Sequence, residues 1–160
     1  MEPTPEQLKE KTDKVAMCIA QGHEKFMRNN ACCAIINCSP YRGPSMDAGT
    51  IFELGFMRAL GKPCFGFTNV ATNFNKRSRA YSGVTDEITD IDEDGNRFEE
   101  FNTADNLMID NGINDSIKPF KLVVPENNIP NVNDHGTEES LALFKKCAEQ
   151  IVAWNKMYAE

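Results

Sequence analysis

The chain has 160 residues, which is enough for one domain with a hydrophobic core, and we expect residues 1–160 to form a single domain. With 41% hydrophobic and 26% charged residues, the composition is typical of a soluble globular protein. The formal net charge of −7 argues against a nucleic-acid partner, because phosphate binding needs clustered Lys and Arg. The composition favours a small-molecule ligand.

The N-terminus has no apolar run like that of a signal peptide, and no stretch approaches the roughly 18 apolar residues of a membrane span. We therefore expect a cytoplasmic protein without a membrane partner. The six cysteines form no C-x-x-C pair and lie mostly in apolar runs, which predicts buried thiols without disulfides or zinc. Because the chain has two histidines, we expect no metal site, and we expect no cofactor.

The first predicted helix begins with Thr4 as N-cap and Pro5 in its first turn. We expect a break at Gly22 and a further short helix over residues 23–30. The following segment, residues 31–38, is a short continuous apolar run, which is typical of a strand covered on both faces, as in a parallel sheet.

A turn-rich loop, residues 39–45, leads into a second predicted helix that extends from about Asp47 to Leu60. Ser45 or Asp47 can cap its start, Gly61 suits the left-handed position after its end, and Pro63 prevents continuation. Residues 64–68 are strand-like. Strand, helix and strand form a βαβ unit, so the sequence predicts an open α/β fold with a parallel sheet.

Glu53 lies inside this second helix, which is apolar nearly all round and should therefore be buried. A carboxylate among apolar neighbours is expected to be partly desolvated, with its pKa raised unless donors hold the charged form, and such a cost often has a chemical reason. Gly49, one turn earlier, leaves space for a ligand. The alternative is that Glu53 reaches the surface or bonds a neighbouring loop. Its neighbours at helical spacing are apolar or small: Met46, Gly49, Thr50, Met57 and Leu60.

In open α/β sheets, ligands bind outside the carboxyl ends of the strands, which is where the 39–45 loop and the first turn of the helix should lie. Asp47 is six residues before Glu53, so the two are not on one face of the helix. Asp47 can turn toward a ligand whose other end meets Glu53. The alternative is that Asp47 is an ordinary N-cap.

The segment from Asn69 to Asp105 is polar, and we expect its part around Arg77 to be flexible. Residues 90–96 are superficially like a calcium loop, but the twelfth position is Phe101 rather than Glu. A hairpin that turns at residues 94–95 fits better.

The rest of the chain predicts a short helix capped by Thr103, a third strand over residues 120–124 and a helix over residues 137–158. Three parallel strands are few for a sheet that must be covered on both faces.

Two motifs make this sequence similar to the nucleoside 2-deoxyribosyltransferase family. S-P-Y-R-G begins at Ser39, and D-x-G-x-x-x-E-x-G extends from Asp47 through Glu53 to Gly55. The likeness is close over residues 24–68 and returns at residues 106–108. It implies a flavodoxin-like parallel sheet flanked by helices, without the family's first strand, because the strand and Gly-rich turn that open the family have no counterpart here.

The resemblance implies double displacement at a deoxyribose in nucleoside salvage. By position, Glu53 matches the nucleophile that forms a covalent deoxyribosyl-enzyme, and Asp47 matches the acid that handles the proton of a purine or pyrimidine base. Asn106 matches an Asn that a neighbouring subunit contributes, with Met108 close by, which implies a homo-oligomer. Glu24 stands where the family has Asp or Asn on the sugar hydroxyls. The implied partners are a deoxynucleoside and a free nucleobase.

Two other functions stay open. One is N-glycoside hydrolysis of deoxynucleosides or their 5′-monophosphates, which needs a phosphate clamp, and Ser39, Arg42 and Ser45 are the obvious candidates. The other is a catalytically impaired nucleoside-binding protein.

Overall fold

The computed structural model describes residues 5–85, 88–130 and 136–158 of the chain. It divides into two compact units, residues 1–32 and residues 33–160. The described residues form a small parallel sheet and five helices, so the predicted α/β class is confirmed. In chain order the elements are α1 (Pro5–Asn29), β1 (Ala34–Asn37), α2 (Ala48–Ala59), β2 (Cys64–Phe67), α3 (Phe74–Tyr81), α4 (Leu107–Ser116) and α5 (Glu138–Tyr158).

The first unit contains α1, which continues for 25 residues without interruption. The predicted break at Gly22 is therefore wrong. A single glycine costs a helix only about 1 kcal/mol, and the strong helix formers on both sides of Gly22 offset that cost. The predicted cap, Thr4, lies outside the described residues.

The second unit is built on the predicted βαβ unit. Strands β1 and β2 pair in parallel with Ala34 opposite Cys64, and α2 connects them. The predicted third strand, residues 120–124, pairs with β2 only at Val123, whose N–H donates to the Gly66 carbonyl at 2.9 Å. The segment therefore runs beside β2 as a single parallel bridge rather than as a full strand.

The core of this unit is β2 and the helices that cover it. All four residues of β2 are buried, and α4 and α5 both pack on the strand. Phe65 is fully buried and meets Trp154 of α5 edge to face, with ring centroids 6.1 Å apart. On the α4 side, Gly66 has no side chain, so Ile113 can lie directly against the strand.

Two segments differ from the sequence prediction. The stretch around Arg77, expected to be flexible, contains α3, because Asn73 caps this helix and the side chains of Arg77 and Arg79 are almost completely buried. Helix α4 begins at Leu107 with Asn106 as N-cap, so the predicted Thr103 cap is wrong. The hairpin at residues 94–95 is confirmed by an antiparallel bridge between Ile91 and Arg97.

The cysteines only partly follow the prediction of buried thiols. Cys38, Cys64 and Cys147 are buried, whereas Cys18 and Cys32 are exposed, which corrects the prediction for these two. Burial raises the pKa of Cys64 to about 11 and that of Cys147 to about 12, so these core thiols stay protonated at neutral pH. No helix among the described residues has the length and apolarity to cross a membrane.

Gly66→Ala tests the close approach of α4 to β2. A Cβ at this position would lie 2.8 Å from Ile113 Cδ1 and 3.4 Å from Cys38 Sγ, so we expect a loss of about 1–3 kcal/mol in the free energy of unfolding. Gly112→Ala, in the open on α4, is the control and should be neutral or stabilising by up to about 1 kcal/mol. Urea denaturation measures both; equal stabilities for the two variants would contradict this packing.

Candidate functional site

The start of α2 lies where the chain leaves β1, at the carboxyl edge of the sheet. Asp47 is the N-cap of α2, and its Oδ2 accepts hydrogen bonds from the Thr50 N–H at 3.0 Å and the Thr50 hydroxyl at 3.2 Å. The N-cap alternative for Asp47 is therefore realised in the structure. The capping role leaves one oxygen of Asp47 available to a ligand, because a carboxylate has a second oxygen.

Gly49 lies beside this carboxylate. A Cβ on Gly49 would be 3.0 Å from Asp47 Oδ2, which is tighter than ordinary contact. The glycine therefore gives the Asp47 side chain room to fold over the first turn of the helix. The predicted approach of a ligand beside Gly49 stays a prediction.

Glu53 lies one turn after Gly49 and is half-buried. The expectation that α2 is buried all round is wrong: Leu54 and Met57 are its buried residues, and Phe52 is 57% exposed. One side of α2 packs on the sheet and on α4, and the other side faces outward. Glu53 is therefore at the boundary between the core and the surface of this unit.

The three candidates for a phosphate clamp differ in their availability. Ser39 is buried, and its Oγ accepts the Asn69 N–H at 3.0 Å. Ser45 donates its hydroxyl to Asp105 at 2.6 Å. Arg42 is exposed, has a left-handed φ of 55°, and its guanidinium stacks on the Tyr41 ring 5.0 Å from the centroid. Both serines are therefore bonded within the protein.

Asp105 is a buried carboxylate that the sequence analysis did not single out. It is fully buried and accepts hydrogen bonds from the Ser45 hydroxyl, from the Met46 N–H at 3.2 Å and from the Asn106 N–H at 2.7 Å. The Arg77 guanidinium lies 3.5 Å from its Oδ2. Burial raises the pKa of Asp105, while these bonds and the Arg77 charge act to lower it.

Arg77 completes this cluster from α3. Its Nε donates to the Pro44 carbonyl at 2.8 Å, and its other nitrogens donate to the carbonyls of Thr72 and Ala104. Burial lowers the pKa of Arg77, while the neighbouring Asp105 raises it. No periodicity could have predicted this pair, because its members are distant in the sequence and belong to a stretch that looks uniformly polar.

Asn106 lies next to this cluster and has two bonded roles. Its side-chain oxygen accepts the Met108 N–H at 3.0 Å as the N-cap of α4, and its Nδ2 donates to Glu99. Glu99 also accepts the Leu107 N–H at 2.9 Å. Since Asp105 bonds the backbone of both Met46 and Asn106, the structure places Asn106 near the start of α2 in its own chain.

Met108 is 73% exposed and lines a groove of about 960 Å³ between α2 and α4, together with Ile51, Gly55 and Phe120 among others. A second, smaller cleft of about 380 Å³ is lined by residues that include Asn73, Asn102 and Asp110. Neither is lined by Glu53 or Asp47. Glu24 is half-buried in α1, in the first unit, so its predicted contact with the sugar stays a prediction. Among the described residues, no cluster of His, Cys, Asp and Glu could hold a metal ion.

These features define an α/β domain with acidic side chains on the helix that follows its first strand, at the edge where such sheets bind ligands. The chain belongs to the nucleoside 2-deoxyribosyltransferase family: the family model described as Nucleoside 2-deoxyribosyltransferase matches residues 1–108. The match includes both motifs and Asn106, so the resemblance seen in the sequence is confirmed.

A relative from Schizosaccharomyces pombe, Uncharacterized protein C191.05c, is 39% identical over 70 residues. The aligned region is 42% of this chain and 32% of that protein, so the chain matches about a third of its relative's length. Family membership gives the chain a nucleoside deoxyribosyltransferase-like α/β fold.

Substitutions at Asp47 test its role as N-cap. Asp47→Ala should lower the free energy of unfolding by about 1 kcal/mol, because Thr50 N–H loses its acceptor. Asp47→Asn keeps a capping oxygen and should stay within about 0.5 kcal/mol of the wild type. Thermal unfolding followed by circular dichroism measures both. Equal stabilities for Asp47→Ala and the wild type would show that the cap is dispensable.

Proposed function

We propose that this protein transfers 2-deoxyribose between nucleobases, in the cytoplasm, as a step of purine or pyrimidine nucleoside salvage. One observation carries the proposal: the family motif places Asp47 at the N-terminus of α2 and the half-buried Glu53 inside the same helix, beside the carboxyl end of β1. Breaking an N-glycosidic bond needs a carboxylate at the sugar and a proton for the base, and the motif supplies both.

The first half-reaction begins with Glu53 ionised. A Glu53 oxygen attacks the anomeric carbon C1′ and forms an ester bond to the sugar, while the C1′–N bond breaks and its electron pair goes to the departing base. Protonated Asp47 gives its proton to that base. Because Oδ2 of Asp47 holds the N-cap, we assign the transferred proton to Oδ1.

The second half-reaction reverses these steps with another base. The incoming nucleobase attacks C1′, Asp47 takes a proton from it, and the bond between Glu53 and the sugar breaks to restore the carboxylate. Transfer prevails over hydrolysis only if water is kept from the intermediate. The apolar side of α2, with Leu54 and Met57 buried, supports a dry approach to Glu53 from the core side.

We propose that a second copy of the chain covers the rest of the site and keeps water from it. The groove beside Met108 is open and lined by both apolar and charged side chains, and Phe52 on the outer side of α2 is exposed. Such surfaces are typical of subunit interfaces. We propose a homo-oligomer in which Asn106 contacts the sugar of a neighbouring site, with Met108 beside it and Glu24 on the sugar hydroxyls.

Hydrolysis of 5′-monophosphates is the weaker alternative. Its phosphate clamp would use Ser39, Arg42 and Ser45, but Ser45 already donates its hydroxyl to Asp105 and Ser39 is buried. Hydrolysis of unphosphorylated deoxynucleosides needs no clamp, and a catalytically impaired nucleoside-binding protein needs no chemistry. An assay separates these two functions from transfer.

Incubation of the protein with deoxyinosine and free adenine tests the proposal. We expect deoxyadenosine and hypoxanthine to appear in equal amounts, with little free deoxyribose, because the covalent sugar passes from one base to the other. Chromatography of the bases and nucleosides measures the exchange. Free deoxyribose as the main product would favour hydrolysis, and binding without turnover would favour the impaired protein.

Glu53→Gln should lower the exchange rate at least about 10³-fold, because an amide cannot act as the nucleophile, while the fold stays intact because the side chains are nearly isosteric. Glu149→Gln, the same change at an exposed position of α5, is the matched control and should exchange at the wild-type rate. Intact-mass spectrometry should detect a deoxyribosyl adduct on the wild type but not on Glu53→Gln. Substantial exchange by Glu53→Gln would exclude it as the nucleophile.

Asn106→Ser tests the shared site. Serine keeps a capping oxygen for α4 but lacks the amide, so we expect a raised KM and a kcat about tenfold lower. Asn73→Ser makes the same change at the N-cap of α3 and controls for capping. If the site is shared, a mixture of Glu53→Gln and Asn106→Ser subunits should recover activity, since hybrids contain one native site. A mixture no more active than its parts would refute the shared site.

A further inference from the structure

The segment before α2 and the segment before α4 are joined by two side chains that act on matching backbone groups. Arg77 donates to the carbonyls of Pro44 and Ala104, and Asp105 accepts the N–H groups of Met46 and Asn106. Each side chain therefore bonds both segments. We call this arrangement the Arg77–Asp105 brace.

The brace is buried and densely bonded. The Arg77 side chain is 9% exposed and the Asp105 side chain is fully buried, with the two 3.5 Å apart. Ser45 adds a hydroxyl to the same carboxylate at 2.6 Å. Removing one member of a buried ion pair leaves the other charge buried without a partner. The large free-energy cost of that state keeps the two side chains together.

The backbone positions that the brace bonds indicate its function. Met46 directly precedes Asp47, and Asn106 is bonded through its own N–H. The brace therefore fixes the backbone on which both candidate site residues are carried. The Arg77 side chain is almost completely buried and that of Asp105 is fully buried, so we assign neither a direct contact with substrate.

We propose that the Arg77–Asp105 brace is a positioning element of the active site and fixes the backbone that carries the acid Asp47. The inference rests on the proposed deoxyribosyl transfer. Arg77 acts through the backbone at residues 44 and 104, and a displacement of Asp47 by about 1 Å costs on the order of 10² in rate. A lysine at position 77 keeps the charge but cannot bond Pro44, Thr72 and Ala104 in the fork geometry of a guanidinium.

Exchange kinetics of Arg77→Lys test this inference. We expect kcat to fall about 10- to 100-fold with KM within about threefold of wild type. In an Asp47→Asn background the same change should cost less than about threefold, because there is no acid left to position. Ser45→Ala removes one bond to Asp105 and should show the same pattern more weakly, so the test survives if Arg77→Lys folds poorly.

Arg79→Lys is the matched control. It changes a second buried arginine of α3, whose guanidinium bonds the Asn75 side chain, the Thr89 carbonyl and, at 2.6 Å, the Glu100 carboxylate. Its kcat should stay within about twofold of wild type. Equal losses in Arg77→Lys and Arg79→Lys, or equal losses with and without the Asp47 carboxylate, would overturn the inference in favour of general destabilisation.

Hydrogen–deuterium exchange distinguishes a failure of the brace from a failure of the proposed function. Arg77→Lys should raise exchange of the Met46 and Asn106 amides together, and Arg79→Lys should not. If the exchange rates of the two amides change independently of each other, the brace is refuted, whatever the activity of the variant. If the wild type transfers no deoxyribose, the proposed function fails, and with it the positioning of an acid.

Discussion

The loop structure of the second unit depends on the interactions of one buried carboxylate, that of Asp105. Taking a carboxylate out of water costs several kcal/mol, and a single ion pair rarely recovers that cost. Here the charge meets two backbone N–H groups, one hydroxyl and one guanidinium, so its lone pairs are satisfied from four directions. The loops that carry these donors are held in place, because moving the donors away would leave the carboxylate buried without hydrogen bonds.

Arg77 explains why α3 exists in a stretch whose sequence looks like a polar loop. The helix is short, and its intrinsic helix propensity is modest. What stabilises it is the set of hydrogen bonds made by two buried arginine side chains, in which each guanidinium nitrogen donates to an oxygen acceptor. Flexibility was predicted from polarity alone, but polarity does not reveal whether the partners of a charged residue are water or protein.

The parts of the fold that the sequence could predict are those set by local rules. Helix α2 has a capping Asp, a left-handed Gly61 with φ of 70° and a proline beyond it, and its bounds follow the prediction closely. The parallel pairing of β1 and β2 also followed from their apolar runs. Asp105 and the cap at Asn106 could not be predicted, because their significance comes from partners that only the folded chain brings near.

The candidate site was predictable to a similar extent. The D-x-G-x-x-x-E motif identified Asp47, Gly49 and Glu53, and the structure gives a physical reason for the spacing of the first two, since a Cβ at Gly49 would crowd the Asp47 carboxylate. The expected burial of α2 on all sides was too strong. A pattern that is apolar all round does not say which of its faces packs against the same chain.

Gly66 has a consequence for how this site can vary. Without a side chain there, the Ile113 side chain lies directly on the strand, and Ile113 belongs to α4, whose N-cap is Asn106. A larger residue at position 66 would meet the ends of the Ile113 and Leu122 side chains first, so its effect on α4 would pass through Ile113. A substitution at this core position, remote from any substrate, is therefore a way in which related chains could change the distance between the start of α2 and the start of α4.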